Sequence, residues 1–216
     1  MTINSGLNVL VDEPQQSADC AIIWLHGLGA SPYDLQPLLP MLRRHPTLAR
    51  LRGMLPQAPN RPVTINGGMV MPAWYDILAA NPERVVEQTH LQHTAQQVQQ
   101  LVKEAGVPAH RVIIAGFSQG GAVAYQAALT HQQAVAGLLC LSTYLAAQPP
   151  KPRTDVPLLA MHGSEDMVVP ESLGRRSVDW CRQQGIASDY QTYPQGHEIG
   201  LTQIKDLSHW LASQLA

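Results

Sequence analysis

Short runs of consecutive apolar residues alternate along the chain with longer stretches in which apolar residues recur every three or four positions. The short runs predict strands over 7–11, 21–25, 52–55, 111–115, 137–142, 157–162 and 189–193. The longer stretches predict helices over 34–45, 83–105, 119–131, 171–184 and 198–215. Strand, helix and strand in repeated alternation call for a mostly parallel sheet covered by helices on both faces. Val112-Ile-Ile-Ala115 and Leu138-Leu-Cys-Leu141 are apolar at every position, as strands buried on both sides must be. Gly106 with Pro108 ends the Gln-rich helix, and Gly185 ends the next-to-last one.

Two stretches fit neither pattern. Residues 57–76 are rich in Pro, Gly and Met, and residues 144–155 contain Pro149-Pro150-Lys-Pro152. In α/β folds long loops of this kind often line the active site. No internal repeat or domain linker interrupts the alternation, so residues 1–216 are expected to form one domain. A chain of this length buries roughly 70% of the surface it exposes when unfolded, enough for a single packed core.

Composition narrows the function classes. The net charge is −2 with no basic cluster, which argues against a nucleic-acid partner. The longest apolar runs are too short to cross a bilayer, so no stable membrane insertion is expected. The first ten residues, MTINSGLNVL, lack the basic start and apolar run of a signal peptide, and a cytoplasmic protein is expected. Cys20, Cys140 and Cys181 fit that compartment as structural thiols, since no pair has metal-binding spacing. A monomer or weak homodimer is expected.

The sharpest chemical signal is Gly116-Phe-Ser-Gln-Gly120. A G-x-S-x-G match arises by chance in about one chain in ten of this size. Its context is more specific, because it directly follows the strand over 111–115 and opens the helix over 119–131. Strand, tight turn and helix are what a nucleophile elbow requires. The glycines remove side chains that would clash in the turn, and Ser118 projects at a helix N-terminus, where negative charge is favoured. A helix N-cap serine is the plainer role for such a residue.

A serine hydroxyl needs a base, and the base needs an orienting acid. In this fold the chain order is Ser, acid, His. Gly163-Ser-Glu-Asp166-Met-Val-Val-Pro170 follows the strand over 157–162, and the apolar residues after it favour Asp166 over Glu165 as the acid. His197, in the turn after the last strand, is the expected base. His209 lies within the last helix beside Trp210 and reads as surface or packing. Two backbone N–H donors are expected to receive developing oxyanion charge: Gln119, just after the nucleophile, and Leu28 in His26-Gly-Leu-Gly29. His26 is expected to order that loop by hydrogen bonds. His90 and His93 lie three apart on a helix without a third ligand, and read as a solvated face. Met69-Val-Met71-Pro-Ala-Trp74 fits either core or a substrate wall.

WLHGLGA at 24–30, PVTINGGMVMPAWYDI at 62–77, GFSQGG at 116–121, HGSEDMVVP at 162–170 and GHEI at 196–199 together resemble the bacterial carboxylesterases related to acyl-protein thioesterases and lysophospholipases. The matches fall in order over roughly 20–200, and PAWYD is more specific than the serine motif. The resemblance implies a minimal α/β-hydrolase without a cap domain, the triad Ser118, Asp166 and His197, and oxyanion donors at Leu28 and Gln119. It also implies Trp74 beside an acyl channel and short- to medium-chain acyl esters or thioesters as small-molecule substrates. The chain departs from these relatives at Ser31-Pro-Tyr33, where they usually carry a more polar pair.

Met71, Leu145 and Val168, from loops flanking the expected triad, complete the candidate acyl walls with Trp74 and Leu28. No metal or organic cofactor is expected. A lysophospholipase or an acyl-protein thioesterase is the competing reading, the lysophospholipase at a lipid surface lowered by the lack of a basic amphipathic helix or apolar lid. A non-catalytic binding module is a further one, opposed by the complete Ser–Asp–His order.

Overall fold

In the computed structural model, which describes residues 5–80 and 84–216, the chain first forms β1 (Val9–Asp12), β2 (Cys20–Leu25), α1 (Leu38–Leu42) and β3 (Leu51–Pro56). There follow β4 (Asn60–Val63), β5 (Met69–Pro72), β6 (Ile77–Ala79), β7 (Val85–Val86) and α2 (Gln88–Lys103). The second half holds β8 (Val112–Phe117), α3 (Gln119–Leu129), β9 (Gly137–Leu141), β10 (Leu158–Gly163), α4 (Glu171–Gln183), β11 (Ser188–Tyr193) and α5 (Leu201–Gln214).

Seven of the strands make one sheet in the order β1-β3-β2-β8-β9-β10-β11. Only β1 runs antiparallel to its neighbour. The period of two along a strand divides the core. Ala21, Ile23 and Leu25 of β2 pack with α2, α3 and α4 on one face, while Cys20, Ile22 and Trp24 pack with α1 and α5 on the other. Burial on both faces is why the central strands read as unbroken apolar runs.

α2 shows how the helices are held. Leu91, Ala95, Val98, Leu101 and Val102 recur on one face and are buried, and Glu87 caps its start by accepting from Thr89 N–H at 3.0 Å. Removing one of these leucines to Ala would cost about 3 kcal/mol. α4 ends where Gly185 adopts φ +82 and Ile186 N–H reaches back to the Cys181 carbonyl at 3.0 Å.

The structure corrects three expectations. The helix expected over 34–45 is a five-residue α1 between 3-10 turns at Pro32–Asp34 and Pro46–Leu48. Pro32, Pro37, Pro40 and Pro46 supply no backbone N–H, so only a short first turn of α-helix survives. The helix expected over 83–105 begins at Gln88, because Val85–Val86 pairs with Ile77–Ala79; Glu83 lies outside the described residues. The stretch over 57–76 is not one loop. It carries the β4–β5 hairpin, turned by Gly67 and Gly68 at φ +66 and +78. Among the described residues no helix is long and apolar enough to cross a membrane.

Candidate active site

β8 ends at Phe117 and α3 starts at Gln119, leaving Ser118 alone at the corner with φ 55 and ψ −121. A non-glycine residue held there costs about 1–3 kcal/mol, so its surroundings must enforce it. Ser118 N–H donates to the Leu141 carbonyl at 2.9 Å, and the Thr143 hydroxyl donates to the Ser118 carbonyl at 2.6 Å. The flanking glycines permit the corner. A Cβ on Gly116 would overlap the backbone of Gly120 and Gly121, and one on Gly120 would overlap the carbonyl oxygens of Leu25 and His26. α3 therefore crosses the end of β2 at backbone contact and brings its N-terminus to the carboxyl edge of the sheet.

Asp166 sits in the turn after β10 and is buried. Its Oδ1 accepts from Val168 N–H at 2.9 Å and Val169 N–H at 2.8 Å. Its Oδ2 lies 2.7 Å from His197 Nδ1 and 3.5 Å from His162 Nε2. His162, at the end of β10, is itself buried and donates from Nε2 to the Val169 carbonyl at 2.9 Å. His197 Nε2 stands 2.9 Å from Ser118 Oγ, with the imidazole 4.8 Å from the Phe117 ring. An ionised Asp166 only accepts, so it places the imidazole proton on Nδ1 and leaves the Nε2 lone pair facing the hydroxyl. The acid turn and the histidine loop are bound together: Ser164 N–H donates to the Tyr193 carbonyl at 2.8 Å and Glu165 N–H to that of Gln195 at 3.1 Å. The Glu165 residue is exposed, and Asp166 is the carboxylate that meets the imidazole.

The loop over 26–30 lies against this corner, since a Cβ on Gly27 would come within 3.4 Å of that of Ser118. His26 orders it. Its Nδ1 donates to the Gly27 carbonyl at 2.8 Å and its Nε2 accepts from Ala58 N–H at 3.1 Å, a neutral tautomer. Burial pushes its pKa below the ordinary 6.5, against the raising effect of the Gly27 carbonyl. Gly29 N–H donates to the Pro72 carbonyl at 2.8 Å. Among the described residues, neither Leu28 N–H nor Gln119 N–H has an acceptor. Two free amides thus flank Ser118, one from the loop and one from the first turn of α3.

Trp74 is placed differently from the expected acyl wall. It is fully buried, with its indole N–H donating to the His26 carbonyl at 2.8 Å and its backbone N–H to Gln119 Oε1 at 2.9 Å. With no surface exposed it cannot face an open channel. Leu28, Met71 and Leu145 are half-buried and Val168 is exposed, so these four do present surface. His209 is exposed on α5 and meets His45 instead, at 6.0 Å between rings. His90 lies near Asp76, Arg61 and His93, and among the described residues no cluster of three metal-ligating side chains forms. The three cysteines are free and buried, and burial pushes the Cys20 and Cys181 thiols up to about 12.

Sequence reasoning missed three contributors: His162, the Thr143 hydroxyl and the Gln119 side chain, whose Nε2 also donates to the Tyr75 carbonyl at 2.7 Å. His162 carried a legible signal, a histidine at the end of a strand four residues before the acid. Thr143 and the Gln119 amide carried none, because their partners lie far away in the chain.

A mostly parallel sheet with helices on both faces, and a serine on a strand–turn–helix corner at its carboxyl edge, define an α/β-hydrolase fold. The pattern of the phospholipase/carboxylesterase family matches residues 7–215. An acyl-protein thioesterase 1 of Mycosarcoma maydis is 32% identical, with 96% of this chain and 97% of that protein covered. The acyl-protein thioesterase 1 of Yarrowia lipolytica is 31% identical over 94% of this chain and 95% of its own. Among solved structures, Arabidopsis thaliana SOBER1 superposes with a TM-score of 0.85 at 25% identity, covering 92% of this chain and all of that one. The chain belongs to the phospholipase/carboxylesterase family of hydrolases.

Proposed function

We propose that this protein is a serine carboxylesterase that hydrolyses short- to medium-chain acyl esters or thioesters through an acyl-enzyme. The observation that carries the reading is the unbroken line of contacts from Ser118 Oγ to His197 Nε2 at 2.9 Å and from His197 Nδ1 to Asp166 Oδ2 at 2.7 Å. Ser118 Oγ attacks the carbonyl carbon and its proton passes to His197 Nε2. Asp166 fixes the tautomer and offsets the imidazolium charge. The oxyanion accepts from Leu28 N–H and Gln119 N–H, the two free amides beside the corner. His197 then gives its proton to the leaving alcohol or thiol. Water, deprotonated by the same histidine, attacks the acyl-serine and releases the acid.

No metal or organic cofactor is assigned a part. Leu28, Met71, Leu145 and Val168 are the candidate acyl walls. Three free, buried cysteines are compatible with a reducing cytoplasm. Treatment with a fluorophosphonate probe, followed by peptide mapping, tests the reading: the label is expected on Ser118 with parallel loss of ester cleavage. Protein left unlabelled would point to a binding module that kept the fold, and a label on another residue to a different nucleophile.

A further inference from the structure

A cavity of about 640 Å³ lies beside the Asp166 turn, outside the line of reacting groups. That is within the size range of small-molecule sites. Leu145, Val168 and Trp180 give it apolar walls, and Arg84 and Arg176 also line it. No carboxylate lines it among the described residues. The cavity adjoins the candidate chemistry on two sides. Val168 follows Asp166 by two residues and donates its N–H to that carboxylate. Tyr144, another lining residue, follows Thr143, whose hydroxyl holds the Ser118 carbonyl.

The two arginines are what a neutral acyl channel does not need. On α4, Arg175 is paired with Glu171 and Arg182 with Asp179. Arg176, on the same helix, meets no carboxylate among the described residues. Arg84 is fixed without a counter-ion there: its Nη2 donates to the Val168 carbonyl at 3.2 Å and its guanidinium lies 4.8 Å over the Tyr144 ring. Its Nε is buried with no acceptor among the described residues. A positioned guanidinium beside an apolar wall is suited to a carboxylate or phosphate at the end of a carbon chain.

We propose that this cavity is an acyl subsite for substrates whose acyl chain ends in an anionic group, with the chain on Leu145 and Val168 and the anion held by Arg176 and Arg84. The proposal rests on the serine hydrolase reading and names a substrate class within it.

Aryl esters of ω-carboxyacyl chains of graded length test it, each compared with the neutral acyl ester of equal length. At one chain length the ratio of kcat/KM, charged over neutral, is expected to peak and to fall with added salt. Arg176→Gln should lower that peak ratio by about five- to tenfold, the loss of one charge-assisted contact at a partly solvated site. Arg176→Lys should restore part of it. Arg182→Gln, which removes a charge from the same helix outside the cavity, should leave the ratio as it is. The proposal is overturned if wild type disfavours charged chains at every length, if Arg182→Gln lowers the ratio as much as Arg176→Gln, or if the preference follows an anion placed on the alcohol instead. Cleavage of the neutral esters in the same assay keeps these outcomes apart from failure of the hydrolase reading, in which no ester is cleaved and Ser118 stays unlabelled.

Discussion

The side-chain oxygen of Gln119 accepts the backbone N–H of Trp74 at 2.9 Å, so the residue next to Ser118 also holds the segment that sequence assigned to the acyl wall. The indole N–H of Trp74 closes the arrangement on the His26 carbonyl at 2.8 Å. Through these bonds the ring braces the 26–30 loop against the start of α3. Trp74→Ala should therefore lower kcat/KM for acetyl and octanoyl esters by similar factors, and destabilise the fold by about 3–5 kcal/mol. Ester kinetics across chain length and urea unfolding check both parts. A loss confined to long chains would return Trp74 to the substrate wall.

Ser118→Ala should reduce kcat by roughly 10⁴- to 10⁶-fold while the fold persists, because the members of such a triad act as a unit. Adding His197→Ala to that variant should then cost little more. Losses that multiply would mean His197 is not the base serving Ser118, and pre-steady-state rates on Ser118→Ala, His197→Ala and the double variant decide it.

Gly120→Ala should destabilise the protein by about 3 kcal/mol, an overpacking cost against backbone that cannot rotate away. The added methyl would meet the carbonyl oxygens of Leu25 and His26, both fixed in place. Gly67→Ala is the contrast, since space there is open and only its φ of +66 resists. Chemical denaturation of both should show the larger loss at Gly120. Equal losses would show that α3 and the end of β2 move apart to admit the methyl.

The central sheet and the residues at its carboxyl edge could be read from the chain because each depends on a local pattern. Val112–Phe117 is apolar through its length, and the glycines around Ser118 sit within four residues of it. Elsewhere the deciding contacts were remote. The β4–β5 hairpin hid behind Pro62 and Pro72, tolerated because the two strands pair only with each other. Trp74 looked like a loop aromatic, and its burial comes from partners 45 and 48 positions away.

His26 gives the protein an acid-sensitive element. Its folded pKa lies below 6.5, so just under that pH the unfolded chain binds a proton the folded chain does not. Its contribution is present in full above pH 6.5, declines as pH falls toward the folded value, and levels off below it. In His26→Gln the oxygen can still accept Ala58 N–H but cannot titrate. Calorimetry should find a lower Tm at neutral pH and a shallower decline on the acid side than in wild type. An unchanged acid limb would assign that sensitivity to other groups, His90 among them.

Chain-length preference follows from the walls that do present surface. Each methylene laid on Leu145 or Val168 should contribute about 0.8 kcal/mol, close to fourfold per carbon if the contact lasts into the transition state. kcat/KM is expected to rise from acetyl to about hexanoyl or octanoyl esters and then flatten. A wild-type optimum at acetate would show that the pocket is closed.

A Cβ on Gly163 would overlap the carbonyls of Gln195 and Gly196, so the end of β10 and the histidine loop touch backbone to backbone. With the bonds from Ser164 and Glu165, that contact makes the Asp166 turn and the His197 loop parts of one rigid piece. The hairpin and the 144–155 loop, by contrast, hang outside the seven-stranded sheet. Changes at the tip of the hairpin, where space around Gly67 and Gly68 is open, thus leave that piece alone, whereas changes near Pro72 or Tyr144 are transmitted to the surroundings of Ser118 through Gly29 and Thr143.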